Sequence, residues 1–546
     1  MRYSSLFGKT VRDKPRNAVS RSHELLLRAG FIRPAPGGGF LLLPLGERVV
    51  ERIEGILARE LRRHGGQMLG LPGGRHSANS DTARSLRLHR RESGFDYPFA
   101  EQHEAALAML AGGLSLSYRE LPLIVAGRQW GSREEARANQ GLLRAAEFLF
   151  HSAYAFGAPA NLLADAFQKA LERAGVAALP LGTAGTTEYV IRTELPAREV
   201  LECEACGYRA DVETAESRAP EWPQEEQPGV KEAVYGPGFI QVEPLAKFLG
   251  IPVHQTTKTL LFATGGRLAA ACVPGIYDVS ETKLARVLHC RGLELAPAET
   301  VRELTRSEVG YAGPAGLPDS VEVVWDLSTE RRTNFEAGAN RTDHHMINLN
   351  FGRDVVRPER FFDIRVAREG ERCARCPEGT LVARRVLALG HVTELGDLYA
   401  DLLGARFLDK DKATRPLRVA AAGLDVTAVL AAVVEANSDG RGIVWPRAVA
   451  PFDAHLISLP LAEEAAEALY VRLTDAGVDT MWDDRPESAG VKFGDADLVG
   501  IPVRLVLSKR TGDKVEWKER TAEQGELLTR DEVIGRLRGN DGHLAR

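Results

Sequence analysis

Two Cys-x-x-Cys pairs, Cys203/Cys206 and Cys373/Cys376, stand far apart in the chain and use four of its six cysteines. A short pair on a tight turn supplies two soft thiolate ligands, and a structural zinc takes four of them in a tetrahedron. One shared zinc site is the economical reading; the plainer one is two unrelated turns with free thiols. A shared site constrains the fold, because everything between the pairs must leave and return at one place, as an inserted domain does.

At 546 residues the chain exceeds a single core, and length alone suggests about three or four domains. Its 44% hydrophobic and 27% charged residues are ordinary for a globular protein. Few cysteines, most of them in metal-like pairs, point to a reducing compartment. The start, Met1-Arg-Tyr-Ser-Ser-Leu-Phe-Gly-Lys, has no apolar core of signal-peptide length. No stretch approaches the roughly 20 apolar residues of a membrane span, so a cytoplasmic protein without membrane partners is expected. The net charge of -5 gives no bulk preference for nucleic acid. Local clusters remain at Arg59, Arg62 and Arg63 and at Arg84, Arg87, Arg90 and Arg91; each is either a phosphate-binding patch or a solvated helix face.

Residues 21 to 64 read as a helix, a turn at Gly37-Gly-Gly and a second helix with apolar residues at spacings of three and four. Short apolar runs alternate with helical ones from about 95 to 156. The segment 207 to 372 enters through the Pro-rich linker at Pro220. It then alternates strand-like runs at Thr259 and Leu268 with a helix at Glu281, enough for an independent domain. After the second cysteine pair the first domain resumes. A last unit opens near Trp445, with a strand at Ala454, a helix over 462 to 475 and strands over 478 to 482 and 503 to 507.

Several stretches carry a family resemblance. Arg21-Ser-His-Glu-Leu-Leu-Leu-Arg-Ala-Gly-Phe-Ile-Arg with Leu43-Pro-Leu-Gly resembles the approach to motif 1 of a class II aminoacyl-tRNA synthetase, and Pro72 the proline that ends it. Gly442-Ile-Val-Trp-Pro, Asp483-Asp-Arg-Pro-Glu and Gly490-Val-Lys-Phe-Gly-Asp are similar to an anticodon-binding domain. Nearly end to end, the chain resembles the bacterial type of prolyl-tRNA synthetase, which carries an editing domain between motifs 2 and 3. The resemblance implies a multidomain α/β and α+β protein: an antiparallel-sheet catalytic core over 1–206 and 373–445, an inserted α/β editing domain over 207–372, and a C-terminal α/β anticodon-binding domain over 446–546. It further implies tRNA(Pro), proline, ATP and magnesium as partners, and a homodimer built through motif 1. In the last domain, Arg485 and Lys492 are the expected donors to RNA and Phe493 a stacking face; core packing is the alternative for Phe493 and Trp482.

Activation of an amino acid joins its carboxylate to the ATP α-phosphate, so the site must gather positive charge. Motif 2 resembles Arg133-Glu-Glu-Ala-Arg through Glu147-Phe. This implies Arg133 as phosphate and carboxylate clamp, Glu135 beside it, and Arg137 and Glu147 for the nucleotide. Glu104, in Gln102-His-Glu, corresponds to the acid that holds the proline nitrogen. The departures concentrate here: Ser132, Asn139 and Ala146 replace expected residues, and His151-Ser152 stands where the family has Lys-Asp. In motif 3, Gly423-Leu-Asp-Val-Thr-Ala puts Ala428 where the ATP arginine belongs and Asp425 in place of a glycine. Both changes oppose nucleotide binding.

The segment 240 to 355 resembles the editing domain, which removes alanine from proline tRNA. A pocket that accepts proline cannot strongly exclude a smaller apolar residue, so a second pocket hydrolyses what fits. Lys258, for a phosphate or the terminal ribose, the loop 313 to 318 and His345, to orient the substrate, follow in the expected order. Singly, each has a plainer account as a solvated lysine, a turn and a surface histidine. Adjacent His344 and His345 point to opposite faces of a strand and do not form a metal pair.

Three readings remain: a ligase that also edits, for which Arg415 or Arg418 would have to replace Ala428; a ligation-dead paralogue acting as a trans-editing deacylase or tRNA-binding regulator; and a zinc-stapled RNA-binding scaffold.

Overall fold

The computed structural model describes residues 1–35, 39–71, 104–132, 138–183, 185–222, 227–290 and 292–540. The arginine cluster at 84–91, Pro72, Gly37, Gln102 and the motif 2 residues Arg133, Glu135 and Arg137 lie outside these.

The largest sheet has nine strands. Its path runs Gln67–Met68, Leu123–Ser132, Glu147–Phe156, Val419–Asp425, Leu381–Gly396, Thr186–Arg192, Leu179–Thr183. Every pairing on this path is antiparallel except the short first one. Strands from both sides of the 207–372 segment are therefore interleaved in one sheet. Helices cover one face. Arg21–Arg28 starts at Ser20, whose hydroxyl accepts the N–H of His23, a normal N-cap. Pro44–Arg63 carries proline at its first turn and buries Val49, Val50, Ile53, Ile56, Leu57 and Leu61. Val426–Ala436 is apolar on nearly all sides and lies buried between sheet and helices, as an all-round apolar helix must.

The long strand Leu381–Gly396 explains how the insertion is attached. Its second half sits in the central sheet, while its first half pairs with Arg198–Cys203. Both cysteine pairs are thus brought to the same end. There Ser217 bridges to Cys373, and the buried Arg365 donates to Ser217 Oγ at 2.9 Å and to Asp326 at 3.3 Å. This buried ion pair ties the root of the insertion to its interior.

Beyond the root, a four-stranded sheet (Glu294–Leu295, Thr257–Thr264, Arg267–Pro274, Val321–Trp325) accompanies a three-stranded one (Glu232–Tyr235, His344–Leu349, Phe335–Gly338). The C-terminal unit is a five-stranded mixed sheet: Thr480–Asp483, Ala454–Ser458 and Val503–Leu507 are parallel, and Val515–Glu519 and Glu526–Leu528 are antiparallel. Helix Glu463–Asp475 links the first two of these strands in sequence, a crossover of the kind parallel pairs need. No described helix is long and apolar enough to cross a membrane.

Candidate functional site

Three places in the fold gather the expected residues. At the root of the insertion, the sulfurs of Cys203, Cys206, Cys373 and Cys376 lie within 4.8 Å of one another, with Cys203–Cys376 at 3.6 Å and Cys206–Cys373 at 3.8 Å. A tetrahedron with zinc–sulfur bonds of about 2.3 Å has edges of about 3.8 Å, so four thiolates here fit zinc. The turns suit such a knuckle: Gly207 N–H bonds Cys203 O at 2.8 Å, and Arg375 N–H points at Cys373 Sγ at 3.3 Å. A Cβ on Gly379 would collide with the sulfurs of Cys203 and Cys376, which requires glycine there.

On the central sheet, the face away from the main helices is lined by Gly127, Ser152 and Gly423 in one row and by Gln129, Phe150 and Asp425 in the next. Phe148 lies against Gly131, and the ring of Phe150 fills the space in which a Gly423 Cβ would stand, 6.1 Å from the His391 ring. Asp425 is a helix cap: its Oδ1 accepts the N–H of Ala428 at 2.8 Å and the hydroxyl of Thr427 at 2.6 Å. Ala428 is buried. Arg418 is paired with Glu394 and Asp397, and Arg415 with Asp409 and Asp411. Both precede the strand whose far end leads to Ala428, roughly 20 Å away at about 3.3 Å per residue. Glu147 opens its strand and is exposed, and Glu104 begins helix Glu104–Gly113. His151 turns to the opposite, helix-covered face beside Arg128, which pairs with Glu54 at 2.9 Å.

The inserted unit holds a connected polar centre. His345 is 1% exposed; its Nδ1 donates to Glu336 Oε1 at 2.9 Å, and its Nε2 is buried without a partner among the described residues. Glu336 Oε2 accepts the N–H of Thr257 at 3.2 Å, and Arg332 donates to the Thr257 hydroxyl at 3.2 Å. Burial pulls the Arg332 guanidinium down to about 10, against the opposing charge of Glu336. The Tyr311 ring stands 5.5 Å from His345, and its hydroxyl donates to Asp343 at 2.8 Å. The 313–318 loop is stapled by Asn340, which accepts the N–H of Gly313 and donates to Ala315 O, each at 2.7 Å. Gly313 and Gly338 pass so closely that a Cβ on either would strike the other's backbone or that of Ala312. Lys258 lies on the neighbouring strand, donating to Tyr277 O at 2.8 Å and Asp278 at 2.6 Å. His344 faces the other way, against Tyr235.

In the C-terminal unit the expected RNA donors are turned inward. Lys492 is 2% exposed and donates to Ser458 O at 2.6 Å and Asp483 O at 3.1 Å. Arg485 bonds Asp483 at 2.7 Å and Asp495 at 2.9 Å beneath the Tyr3 ring. Phe493 is partly buried under Arg504. In this arrangement Arg485 and Lys492 organise the unit and do not project from it, because each cationic group bonds to acceptors inside.

Glu336, Arg332 and Tyr311 were not anticipated from sequence. The one available signal was an acid in the otherwise apolar run Phe335-Glu-Ala-Gly, nine positions before His345.

The family model for the aminoacyl-tRNA editing domain matches residues 237–354, and that for the anticodon binding domain matches 448–540. Proline–tRNA ligase of Pelotomaculum thermopropionicum is 36% identical over 560 residues, covering 97% of each chain. Those of Geobacter sp. strain M21 and Dehalococcoides mccartyi strain 195 are 35% and 34% identical over 98% of each chain. A solved prolyl-tRNA synthetase from Cryptosporidium parvum, complexed with halofuginone and AMPPNP, aligns at 11% identity with a TM-score of 0.49 over 97% of this chain and 78% of that one, too loosely to inform the assignment. With full-length identity above a third and both accessory modules in place, the chain belongs to the prolyl-tRNA synthetase family and carries an editing domain and an anticodon-binding domain.

Proposed function

We propose that this protein acts on tRNA(Pro), joining proline to it with ATP and magnesium and hydrolysing alanine wrongly attached to it. Continuous likeness to proline–tRNA ligases over nearly the whole chain carries this reading. Arg133, Glu135, Arg137 and Glu147 serve the nucleotide and Glu104 the proline nitrogen. Lys258 and His345 serve hydrolysis, and the domains divide at 206/207, 372/373 and 445/446. Zinc at the four cysteines fixes the root of the insertion. Arg485, Lys492 and Phe493 act in anticodon recognition by shaping the surface that meets RNA. The enzyme works as a cytoplasmic homodimer. The test is charging of tRNA(Pro) with labelled proline: ATP-dependent charging that disappears in Arg133→Ala supports the proposal.

A second reading has its own observation. Ala428 is buried and Phe150 fills the space above Gly423, which favours a protein that edits without ligating. Proline-dependent pyrophosphate exchange decides between them. Folded, zinc-loaded protein that shows no exchange yet deacylates alanyl-tRNA(Pro) establishes the second reading.

A further inference from the structure

The geometry points to Glu336 as the residue that positions His345 for hydrolysis, by holding the imidazole in the tautomer whose Nε2 is an acceptor. This rests on the hydrolytic reading of the inserted unit. A carboxylate only accepts hydrogen bonds, so the 2.9 Å contact from His345 Nδ1 to Glu336 Oε1 requires the proton on Nδ1. In the neutral ring that leaves the lone pair on Nε2, an atom buried and unpartnered among the described residues. Glu336 is itself fixed: its second oxygen takes the Thr257 N–H, and the Arg332 guanidinium, anchored on Thr257 Oγ1 and the carbonyl of Thr256, stands nearby.

A buried acceptor left open costs about 1–3 kcal/mol. Such a cost persists where a ligand supplies the missing donor. Hydrolysis of an aminoacyl ester offers that donor in the attacking water. The water oxygen bonds to the ester carbonyl carbon while its proton passes to Nε2. The carbonyl carbon–ribose oxygen bond then breaks, and the proton moves from Nε2 to the departing ribose oxygen, giving alanine and uncharged tRNA. The ring's other neighbours are compatible with this role. Tyr311 packs against it and sends its own hydroxyl to Asp343. Gly236 lies between the imidazole and Phe248, where an added Cβ would stand 3.6 Å from His345 Cδ2 and 3.1 Å from the Phe248 ring.

The test combines two readouts on the full chain. With ¹⁵N-histidine protein, His345 in the wild type is expected to show a protonated Nδ1 and an unprotonated Nε2, and Glu336→Ala a tautomer mixture. With alanyl-tRNA(Pro), kcat of Glu336→Ala is expected to fall about 100-fold, the scale of a positioned acid–base group, with KM changed less than about 3-fold. Glu336→Gln leaves an oxygen for only one of the two donors, Nδ1–H or Thr257 N–H, and is expected to fall between; it also serves should the alanine variant not fold. An unchanged tautomer and unchanged kcat in both variants would overturn the assignment. A wild-type protein with the expected tautomer, lost on mutation, but no deacylation at all would retain the Glu336–His345 pairing, remove its hydrolytic role and fault the proposed editing function separately.

Discussion

Two buried imidazoles, His151 in the central sheet and His345 in the inserted unit, have opposite surroundings. His151 has the Arg128 guanidinium near it, and burial together with that charge pushes it down to about 4. His345 has a carboxylate on Nδ1; each ring keeps one buried nitrogen, His151 Nδ1 and His345 Nε2, without a partner among the described residues. The same contrast holds more widely. On the sheet, positions where the resemblance leads one to expect charge carry Ala428, His151 and Ser152, and Asp425 is absorbed as a helix cap. In the insertion, Arg332, Thr257, Glu336 and His345 form a buried polar chain with one reserved acceptor. A polar centre kept inside a core at a desolvation cost indicates retained chemistry; polar positions converted to packing indicate relaxed chemistry.

The contrast is sharpened first by nucleotide affinity. Without a motif 3 arginine, ATP binding measured by calorimetry is expected to be about 30-fold or more weaker than in a family member that keeps it, the scale of one lost buried charge contact of about 2 kcal/mol. Equal affinity would mean that another cation has taken its place and would break the comparison. Metal removal should strike the insertion and leave the C-terminal unit folded. One zinc per chain is expected by elemental analysis. Cys373→Ser should lose it and destabilise the root by several kcal/mol, below the roughly 10–16 kcal/mol that zinc gives isolated finger peptides.

Acid should act on the central sheet through His151. Its folded pKa of about 4 lies below the unfolded value of about 6.5, so the unfolded chain binds more protons between them. Stability is full above about pH 6.5 and declines as pH falls toward 4, by up to about 3 kcal/mol for this group. His151→Gln should remove that share in urea melts across this window; His455, pushed down to about 4 by burial in the C-terminal unit, will retain its own. The smallest effect concerns Asp425. As a cap on Val426–Ala436 it is worth about 1–2 kcal/mol, so Asp425→Ala should lower the unfolding free energy measured in urea by that amount. A gain in ATP affinity with no loss of stability would show instead that Asp425 acts only as a repulsive charge.

Much of this was legible in the chain. The cysteine spacing implied convergence at the root of an insertion, and the structure brings the four sulfurs together. The strands at Ala454 and Val503 and the helix at Glu463 followed from periodicity. What escaped was whatever depends on distant partners. Lys492 and Arg485 read as RNA donors because nothing local shows that the Ser458 carbonyl takes Lys492 or that Tyr3 and Asp495 flank Arg485; only the Asp483–Arg485 pair is local. Asp425 read as a charge facing a nucleotide, although an acid just before an apolar helical run is also an N-cap signal. Glu336 carried no motif, since an acid in a strand becomes informative only when register sets it beside His345.

The central claim is that the inserted unit holds a working hydrolytic centre whatever the fate of ligation. It is tested most directly by incubating alanyl-tRNA(Pro) with the purified full-length protein and with His345→Ala. The account predicts enzyme-dependent release of alanine that falls about 100-fold or more in the variant, while both proteins melt alike. Folded wild-type protein that releases no alanine, or a variant that releases it as fast, would contradict it.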